Sequence, residues 1–436
     1  MLASSAIAFW LLGLCNNFAY VIMLSAAKDV LDLHGVHPSS APSLACSEKI
    51  TKRECSQIST GSILLADIIP SLIIKVSAPL YIHRIPFGVR HFIVVILQAT
   101  SFLTVALSQS TTVAVLGVVL ASAGSGLGEV SLLSLSSFFP PGVLTAWSSG
   151  TGGAGVVGAA VYAVLTDARL AALSPGHALL SMLVVPLLFV YAFWGILTLP
   201  PTVHRVKVLQ PSTYIVPFSE RTSSVTDDLS SSSSESDDSP LLHRDRQVRS
   251  IRINFGALPW SDKLSVIQPL LRYMIPLSAV YFGEYFINQG LLELFQFDCA
   301  NSFWLDPAAQ YRWMQLHYQV GVMISRTLAP SLRSPPSPSL VASLQLLNAL
   351  FLTWCAWNGR LLPHLLLLLS IVFYEGLLGG TAYVCTFRAI HREVSDDRRE
   401  FSLGFVSIAD SLGILAAGFL AIPTHNLICT LPLDPL

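Results

Sequence analysis

The sequence has little charge. Only 12% of its 436 residues are Asp, Glu, Lys or Arg, whereas soluble domains carry about 25%, and the formal net charge is −1. No run rich in Lys and Arg is present, so nucleic acid is not an expected partner. Hydrophobic residues make up 53% of the chain, and its mean hydropathy is +0.62. This composition predicts a polytopic membrane protein in contact with the lipid bilayer.

The chain also lacks the motifs of metal sites, cofactor sites and membrane enzymes. Its seven cysteines form no C-x-x-C pair and no pairing with histidine, so no metal and no cofactor are expected. There is no H-E-x-x-H and no Gly-x-Gly-Asp motif, and the Gly-Ser-Gly at 124–126 has no convincing histidine partner. We therefore do not expect an enzyme.

Apolar runs of about twenty residues predict eleven membrane-spanning helices. Their approximate limits are 6–26, 57–80, 91–109, 112–134, 143–165, 176–199, 268–296, 311–332, 338–357, 361–385 and 401–422. The first has no basic segment before it, which favours a span over a cleaved signal. A Ser- and Asp-rich segment, 200–265, is predicted to be a disordered linker. It separates an N-terminal six-helix bundle, 1–199, from a C-terminal bundle, 266–436.

The distribution of basic residues predicts the orientation. Sixteen Lys and Arg fall on one side and six on the other, which places the N-terminus and the linker in the cytosol. The loop 28–56 would then be luminal, and so would the C-terminus, unless a further half-inserted segment follows the eleventh span. Cys46, Cys55 and Cys299 would share the luminal side, where an oxidising lumen could bridge two of them.

The seventh span contains several polar residues. The stretch Val280–Leu294 is apolar enough to span, yet it contains Glu284, Asn288, Gln289 and Glu293. Glu284 and Asn288 share a helix face because they are four residues apart. A carboxylate at mid-bilayer costs roughly 2.5–3.5 kcal/mol, so it needs a partner or a wet cavity. The pattern indicates a binding site, and a buried hydrogen-bonded clamp between helices is the alternative.

The two halves repeat each other weakly, in three features at corresponding span numbers. The matching features are Asn16–Asn17 and Asn288–Gln289, Lys75-x-x-Ala78-Pro79 and Arg326-x-x-Ala329-Pro330, and the glycine-flanked acids Glu129 and Glu375. Parallel repeats are typical of major facilitator transporters. The sequence thus predicts an all-α, major-facilitator-like fold with two helical bundles of six and five spans around a central cavity. Spans one, four, seven and ten would face that cavity.

The polar and small residues within the spans give a set of candidate site residues. Candidates for substrate binding are Asn16, Asn17, Glu129, Tyr281, Glu284, Asn288, Gln289, Arg312 and Glu375. Candidates for proton coupling are Asp67, Glu129, Glu284 and Glu375, because burial disfavours a charged carboxylate and makes protonation feasible in an acidic lumen. Candidates for gating are Lys75, Arg326 and the packing glycines Gly150, Gly152 and Gly153. Lys75 and Arg312 lie near span ends and could instead only extend to the interface.

These candidates allow either sign of substrate. A phosphodiester anion would use Arg312, Lys75 or the amides as donors. A basic amino acid would instead use Glu129, Glu284 or Glu375 as ionised partners. In the linker, Asp237 is followed by Leu241 and Leu242 in the spacing of an acidic dileucine signal, which clathrin adaptor proteins read in the cytosol.

Long motifs resemble the battenin family, the lysosomal membrane proteins of juvenile neuronal ceroid lipofuscinosis. The motifs are FWLLGLCNNFAYVIMLSAA, LLADIIPSLIIK, SAGSGLGEVSLLSL, WSSGTGGAG, YFGEYFINQGLLEL, QYRWMQLHYQ, YEGLLGGTAYV and REFSLGFVSIADSLGI. The resemblance implies a major-facilitator-like fold in lysosomal and late endosomal membranes. It also implies clearance of glycerophosphodiesters, with effects on lysosomal pH, basic amino-acid handling and autophagy.

Three departures from the family pattern limit what the resemblance implies. The chain begins almost at the first span, without the usual acidic tail. Cys429 lies eight residues from the end, so a prenylated C-terminus is not expected. The loop HRIPFGVRH lacks the Gly-Asp-Arg pattern of facilitator gates. Besides transport of a glycerophosphodiester, the alternatives are transport of arginine and a non-transporting scaffold for endosome–lysosome trafficking.

Overall fold

The computed structural model describes residues 2–26, 50, 55, 60–166, 170–207, 210–216, 260–305, 307–332, 334–359 and 361–432. In these residues the chain forms eleven long helices, one for each predicted span. Those of the N-terminal half are α1 (Leu2–Ser25), α2 (Thr60–Tyr81), α3 (Phe87–Ala106), α4 (Thr111–Ser136), α5 (Pro141–Thr166) and α6 (Pro175–Ile196). Those of the C-terminal half are α7 (Leu271–Phe286), α8 (Pro307–Leu328), α9 (Pro338–Asn358), α10 (Leu365–Glu393) and α11 (Ile408–Cys429). Short helices, Trp260–Ile267 and Asp396–Val406, precede α7 and α11.

Nine helices in the described residues are long and apolar enough to cross a membrane by length and composition. The exceptions are α7 and α8. The regular part of α7 ends at Phe286 and continues as a π-helical turn, Ile287–Leu291, and a 3₁₀ turn, Leu292–Leu294. The polar composition of α8, visible in QYRWMQLHYQ, lowers its hydropathy. Both helices direct polar side chains into the protein, where lipid does not meet them.

Several helix ends follow directly from local sequence. Ser110 and Ser337 are N-caps of α4 and α9, and their hydroxyls accept the backbone N–H groups of Val113 and Leu340 at 3.4 and 3.3 Å. Gly359 ends α9 with a φ of 76°, which a residue without Cβ adopts at no steric cost. Turns between spans are therefore encoded locally, by the residues that flank each apolar run.

The helix packing repeats between the two halves, as the sequence correspondences predict. In the N-terminal half α1 packs on α5 and α2 on α4, and in the C-terminal half α7 packs on α11 and α8 on α10. The halves meet where α2 packs on α11 and where α8 packs on α5. These two pairs are equivalent, because the correspondence between the halves matches α2 with α8 and α5 with α11. The interface between the halves therefore consists of two equivalent helix pairs.

Glycines make the closest of these contacts possible. A Cβ at Gly150 would collide with the carbonyl oxygen of Trp10, so α5 can approach α1 only without a side chain there. A Cβ at Gly152 would lie 3.0 Å from the Cα of Met323, and one at Gly153 would lie 3.2 Å from the Trp10 ring. The glycine stripe of α5 thus packs on α1 and, across the interface between the halves, on α8.

The two ends of the bundle are distinguished by α1: the end where α1 begins is the inner end, and the end where α1 finishes is the outer end. The prediction from basic residues makes the inner end cytosolic. The described start of the predicted linker packs against the inner end, where the N–H of Val216 donates to the carbonyl of Arg84 at 3.2 Å. Residues 217–259 of the linker lie outside the described part.

A disulfide at the outer end joins the two halves. Cys55, shortly before α2, is bonded to Cys429 at the end of α11, with a Cα–Cα distance of 6.2 Å. Cys299 is also disulfide-bonded, as its predicted loop position allowed, and Cys46 lies outside the described residues. The sequence did not suggest Cys429 as the partner of Cys55, because the predicted eleventh span stopped at residue 422. The helix instead runs on to Cys429.

Candidate functional site

A cavity lies between the two halves. Its lining comes from α1, α2, α4, α7, α8, α10 and α11, which include the four helices predicted to face it. The charged side chains in the lining are Asp67, Lys75, Glu129, Arg326 and Asp410. The aromatic side chains in the lining are Tyr20, Tyr281, Tyr285 and Tyr383. A cavity with this lining offers hydroxyl groups and charges of both signs to a polar ligand.

Lys75 of α2 is buried and is paired with two carboxylates. Its Nζ lies 2.7 Å from Oε2 of Glu129 and 3.0 Å from Oδ1 of Asp410, and it donates to the carbonyl of Ser407 at 3.1 Å. Ser411 donates to the same Asp410 oxygen from its backbone N–H and from its hydroxyl. With every group ionised, this cluster carries one excess negative charge. It also links the N-terminal half to the start of α11.

Arg326 of α8 is buried beside neutral groups. Its guanidinium donates to Oγ1 of Thr151 at 2.7 Å and to the hydroxyl of Tyr281 at 3.0 Å, and it lies over the ring of Tyr383 at 4.3 Å. Within the described part of the chain, no carboxylate lies within ion-pair distance of this guanidinium, and its Nε has no hydrogen-bond partner. Arg326 is therefore a buried cation without a direct ion pair among the described residues, and Glu129 and Glu284 act on it only from beyond ion-pair distance.

The remaining acid and the amides of α1 lie on the opposite wall. Asp67 is buried, and its Oδ1 has no hydrogen-bond partner among the described residues. Asn16 donates to Oδ1 of Asn17 at 3.1 Å and to the carbonyl of Ser125 at 3.3 Å, and so fastens α1 to α4. Asn17 lines the cavity and donates to the hydroxyl of Tyr20 at 3.4 Å. Of the two predicted amides, Asn17 contributes to the cavity and Asn16 supports it from behind.

A second polar cluster lies inside the C-terminal half. Nδ2 of Asn288 donates to Oε1 of Glu375 at 2.8 Å and to the carbonyl of Glu284 at 3.0 Å, and the hydroxyl of Tyr318 donates to Oε1 of Glu284. As far as the structure describes the chain, neither carboxylate has an ion-pair partner, and Oε2 of each has no hydrogen-bond partner. A Cβ at Gly379 would collide with Glu284, so this glycine makes room for the acid. These residues do not line the central cavity.

Other predicted site residues lie outside the cavity. Gln289 accepts the hydroxyl of Tyr311 at 3.2 Å through Oε1, and its carbonyl accepts the hydroxyl of Thr60 at 2.9 Å. Arg312 is half-buried on α8 and does not line the cavity. The sorting residues Asp237, Leu241 and Leu242 lie outside the described residues.

The cavity also contains residues that the sequence analysis did not assign to a site. Behind the lining, Thr151 in the glycine stripe of α5 accepts a hydrogen bond from Arg326, and its polarity there was the signal that could have found it. Asp410 stands out as an acid among small residues in SIADSLGI. Tyr20 and Tyr383 gave no signal, because a tyrosine in a span can equally lie at the membrane interface.

Comparison with known proteins gives consistent matches in sequence and in fold. A family model described as CLN3 protein matches residues 7–431. Battenin of the dog, Canis lupus familiaris, is 41% identical over 97% of this chain and 91% of that protein. Protein btn-1 of Neurospora crassa is 35% identical over 98% of this chain and 89% of that protein.

Solved structures match the fold at low sequence identity. A D-xylose–proton symporter superposes with a TM-score of 0.59 and 11% identity, over 96% of this chain and 89% of that chain. A bacterial homolog of the human lysosomal transporter Spinster, in an inward-facing and occupied conformation, gives a TM-score of 0.52 and 14% identity, over 95% and 80%. The predicted major-facilitator-like fold is confirmed. Fold and sequence relatives agree with the prediction that this is a membrane transporter and not an enzyme.

Proposed function

Since the chain belongs to the CLN3 protein family, we propose that it exports an anionic glycerophosphodiester, such as glycerophosphoglycerol, across the lysosomal and late endosomal membrane. In this role it would support lipid catabolism, lysosomal pH homeostasis and autophagy. The battenin resemblance supports the substrate class and the location, and the cavity supports the sign of the charge.

The observation that carries the proposal is the state of the two cations in the cavity. Lys75 already has two carboxylates within 3.0 Å, so it has little attraction left for another anion. Arg326 has hydrogen bonds to hydroxyls and an aromatic face, and no described carboxylate forms an ion pair with it. A buried charge without a partner is costly, and an anionic ligand removes that cost when it binds. A guanidinium also matches a phosphate better than an ammonium does, because it donates two parallel hydrogen bonds.

Asp67 favours a second candidate, transport of a basic amino acid. Its Oδ1 lacks a described partner and its side chain lines the cavity opposite α8. An ionised Asp67 would attract a cationic ligand such as arginine. The two candidates therefore differ in which unbalanced charge binds the substrate, and a variant of each residue separates them.

Uptake into proteoliposomes tests the choice. We would measure glycerophosphoglycerol and arginine with and without a pH gradient, for the unmodified protein and for Arg326→Gln and Asp67→Asn. The proposal expects glycerophosphoglycerol uptake that Arg326→Gln abolishes and Asp67→Asn retains. Arginine uptake with the opposite pattern would establish the second candidate. Absence of uptake of either compound by the folded protein would contradict this proposal and favour the scaffold function.

The mechanism we infer is alternating access. The two equivalent helix pairs between the halves, α2 with α11 and α8 with α5, are the contacts at which rocking would occur. The ion cluster of Lys75, Glu129 and Asp410 connects the halves towards the inner end and would separate when the cavity opens there. This retains the predicted gating role of Lys75 and assigns Arg326 to binding.

The second polar cluster supports proton coupling. Glu284 and Glu375 lie close to each other through Asn288, without a described cation partner and away from the central cavity. Two buried carboxyl groups in such a place favour binding of at least one proton, because neutralisation removes the cost of burying charge. Protons would thus be bound within the C-terminal half, while the substrate is bound between the halves.

Delivery to the lysosome would use the linker. Asp237, Leu241 and Leu242 have the spacing of an adaptor signal, and adaptor proteins would bind it from the cytosol. Replacement of both leucines by alanine should leave more protein at the cell surface. Surface biotinylation measures this, and lysosomal residence equal to that of the unmodified protein would refute the signal.

A further inference from the structure

A compact set of contacts joins the two halves at the outer end. The hydroxyl of Thr60 at the start of α2 donates to the carbonyl of Gln289 at 2.9 Å, and its N–H donates to Oε2 of Glu293 at 3.5 Å. Oε1 of Glu293 lies 3.2 Å from Nε2 of His425 on α11. One turn later on α11, Cys429 is bonded to Cys55. The start of α2 is therefore held both to the end of α7 and to the end of α11.

These contacts differ from those towards the inner end in one respect. The ion cluster around Lys75 is non-covalent, so thermal motion can open and re-form it. Hydrogen bonds such as that of Thr60 are reversible in the same way, at about 0.5–1.5 kcal/mol each. The bond between Cys55 and Cys429 is covalent, and it ties the chain five residues before the start of α2 to the end of α11. Opening of the cavity at the outer end requires these two helix ends to move apart.

We propose that the Cys55–Cys429 disulfide is a redox-controlled lock on the outer end of the cavity. While the bond is intact, Cys55 stays within disulfide distance of the end of α11, and the start of α2, five residues further along the chain, can move from α11 only as far as that connection reaches, which restricts opening there. When it is reduced, the remaining contacts are reversible and the outer end opens. This inference rests on the proposed transport by alternating access, and it adds the condition under which the cycle runs.

The reduction is a two-electron thiol–disulfide exchange. A thiolate of a dithiol reductant attacks one sulfur, the S–S bond breaks, and the other sulfur leaves as a thiolate. The second thiol of the reductant then displaces the released cysteine, so the protein gains two thiols and the reductant becomes a disulfide. Cys55 is not buried, which gives a reductant access. Nε2 of His425 lies 3.6 Å from the sulfur of Cys429, so an N–H at this position can donate a hydrogen bond to the departing thiolate.

Transport measured in defined redox states tests the lock. We would purify the full chain without reductant, verify the Cys55–Cys429 linkage by peptide mapping, and measure uptake before and after treatment with a dithiol. The expected result is an increase on the order of ten-fold on reduction, because a locked population becomes able to reach the open state. The double variant Cys55→Ser, Cys429→Ser should transport at the higher rate without reductant. Cys385→Ser changes a cysteine that is free in the structure and is the matched control.

A distance measurement keeps the test independent of the substrate. Ser110 and Asn358 are exposed near the outer end, one in each half, and can be replaced by cysteine and labelled with maleimide spin probes. Pulsed electron resonance should show a longer distance population in the Cys55→Ser, Cys429→Ser background that is missing when the disulfide is present. Equal distance distributions in both backgrounds would overturn the lock, even if transport is demonstrated. A changed distribution without any uptake would retain the lock and contradict the proposed substrate.

Peptide mapping supplies another decisive outcome. Cys55, His425 and Cys429 hold their ligand atoms within 4.8 Å of one another, an arrangement that could also bind a metal ion. Free thiols in the protein purified without reductant, together with stoichiometric zinc in its metal analysis, would overturn the lock. The double serine variant would then lose the zinc.

Discussion

Replacement of Arg326 by glutamine should separate ligand binding from stability. The guanidinium makes two hydrogen bonds, to Thr151 and Tyr281, and one aromatic contact, to Tyr383, but no described carboxylate lies within ion-pair distance of it. Glutamine loses those contacts and also removes the cost of a buried charge. Since these effects oppose each other, we expect the free energy of unfolding of the empty protein to change by no more than about 2 kcal/mol.

Binding should respond much more strongly. A hydrogen bond to a charged group contributes about 1.5–3 kcal/mol, and each 1.4 kcal/mol is a factor of about ten in affinity. The Kd for glycerophosphoglycerol should therefore rise by roughly 10- to 100-fold in Arg326→Gln. Arg326→Lys keeps the charge but loses the paired donors, so its Kd should lie between that of the unmodified protein and that of Arg326→Gln. Isothermal titration in detergent measures the affinity, and thermal unfolding of the same sample measures the stability.

Arg90→Gln is the matched control. Arg90 is also buried, but its guanidinium donates to the backbone carbonyls of Ile82 and Ile85 at 2.5 and 2.6 Å, in the turn between α2 and α3 and away from the cavity. Its replacement removes both of these hydrogen bonds from a charged donor, so stability should fall by about 2–4 kcal/mol while affinity stays unchanged. If Arg326→Gln behaves like this control, with lower stability and unaltered affinity, Arg326 is a structural residue and the anion-binding argument is refuted.

Three further variants follow from the structure. Lys75→Met should destabilise the protein by about 3–5 kcal/mol in thermal unfolding, because it leaves two buried acids unpaired. The addition of Asp410→Asn should recover part of this loss, whereas additive effects of the two substitutions would contradict the pairing. Glu284→Gln should remove the acceleration of uptake by a pH gradient without weakening substrate affinity, since Glu284 lies outside the cavity. A gradient response equal to that of the unmodified protein would exclude Glu284 as a coupling site. Gly150→Ala should lower thermal stability by about 1–3 kcal/mol, because the added methyl collides with α1. Gly142→Ala, where no atom lies within 4 Å of the added methyl, should leave stability unchanged. Equal effects of the two substitutions would contradict the tight helix contact.

The sequence was sufficient to predict the features that depend on local composition. Apolar run length located all eleven helices, because a helix must be about twenty residues long to cross the hydrocarbon core. The correspondence of Lys75 with Arg326 correctly indicated equivalent positions, since both side chains line the cavity. It could not show that Lys75 forms ion pairs and Arg326 does not, because the partners Glu129 and Asp410 come from α4 and α11. Such differences depend on which helices become neighbours.

Other features depended on details of helix geometry. The sequence placed Glu284 and Glu375 towards the cavity on the basis of span number alone. In the structure they lie within the C-terminal half, where Asn288 of the π-helical turn Ile287–Leu291 donates to the carboxylate of Glu375 and to the backbone carbonyl of Glu284. A π turn is not visible as a periodicity over a few residues. The partner of Cys55 could likewise not be predicted from local sequence, because 374 residues separate the two cysteines.

The unequal state of Lys75 and Arg326 has a stereochemical consequence. The helices repeat, yet the walls of the cavity do not, because one side presents an ion-paired ammonium and the other a guanidinium without an ion pair. Under the proposed function, an anionic group would therefore bind off-centre, nearer to α8, and the two ester groups of a phosphodiester would meet different surroundings. The cavity is therefore a chiral environment and should bind the two enantiomers of a glycerol ester with different affinities.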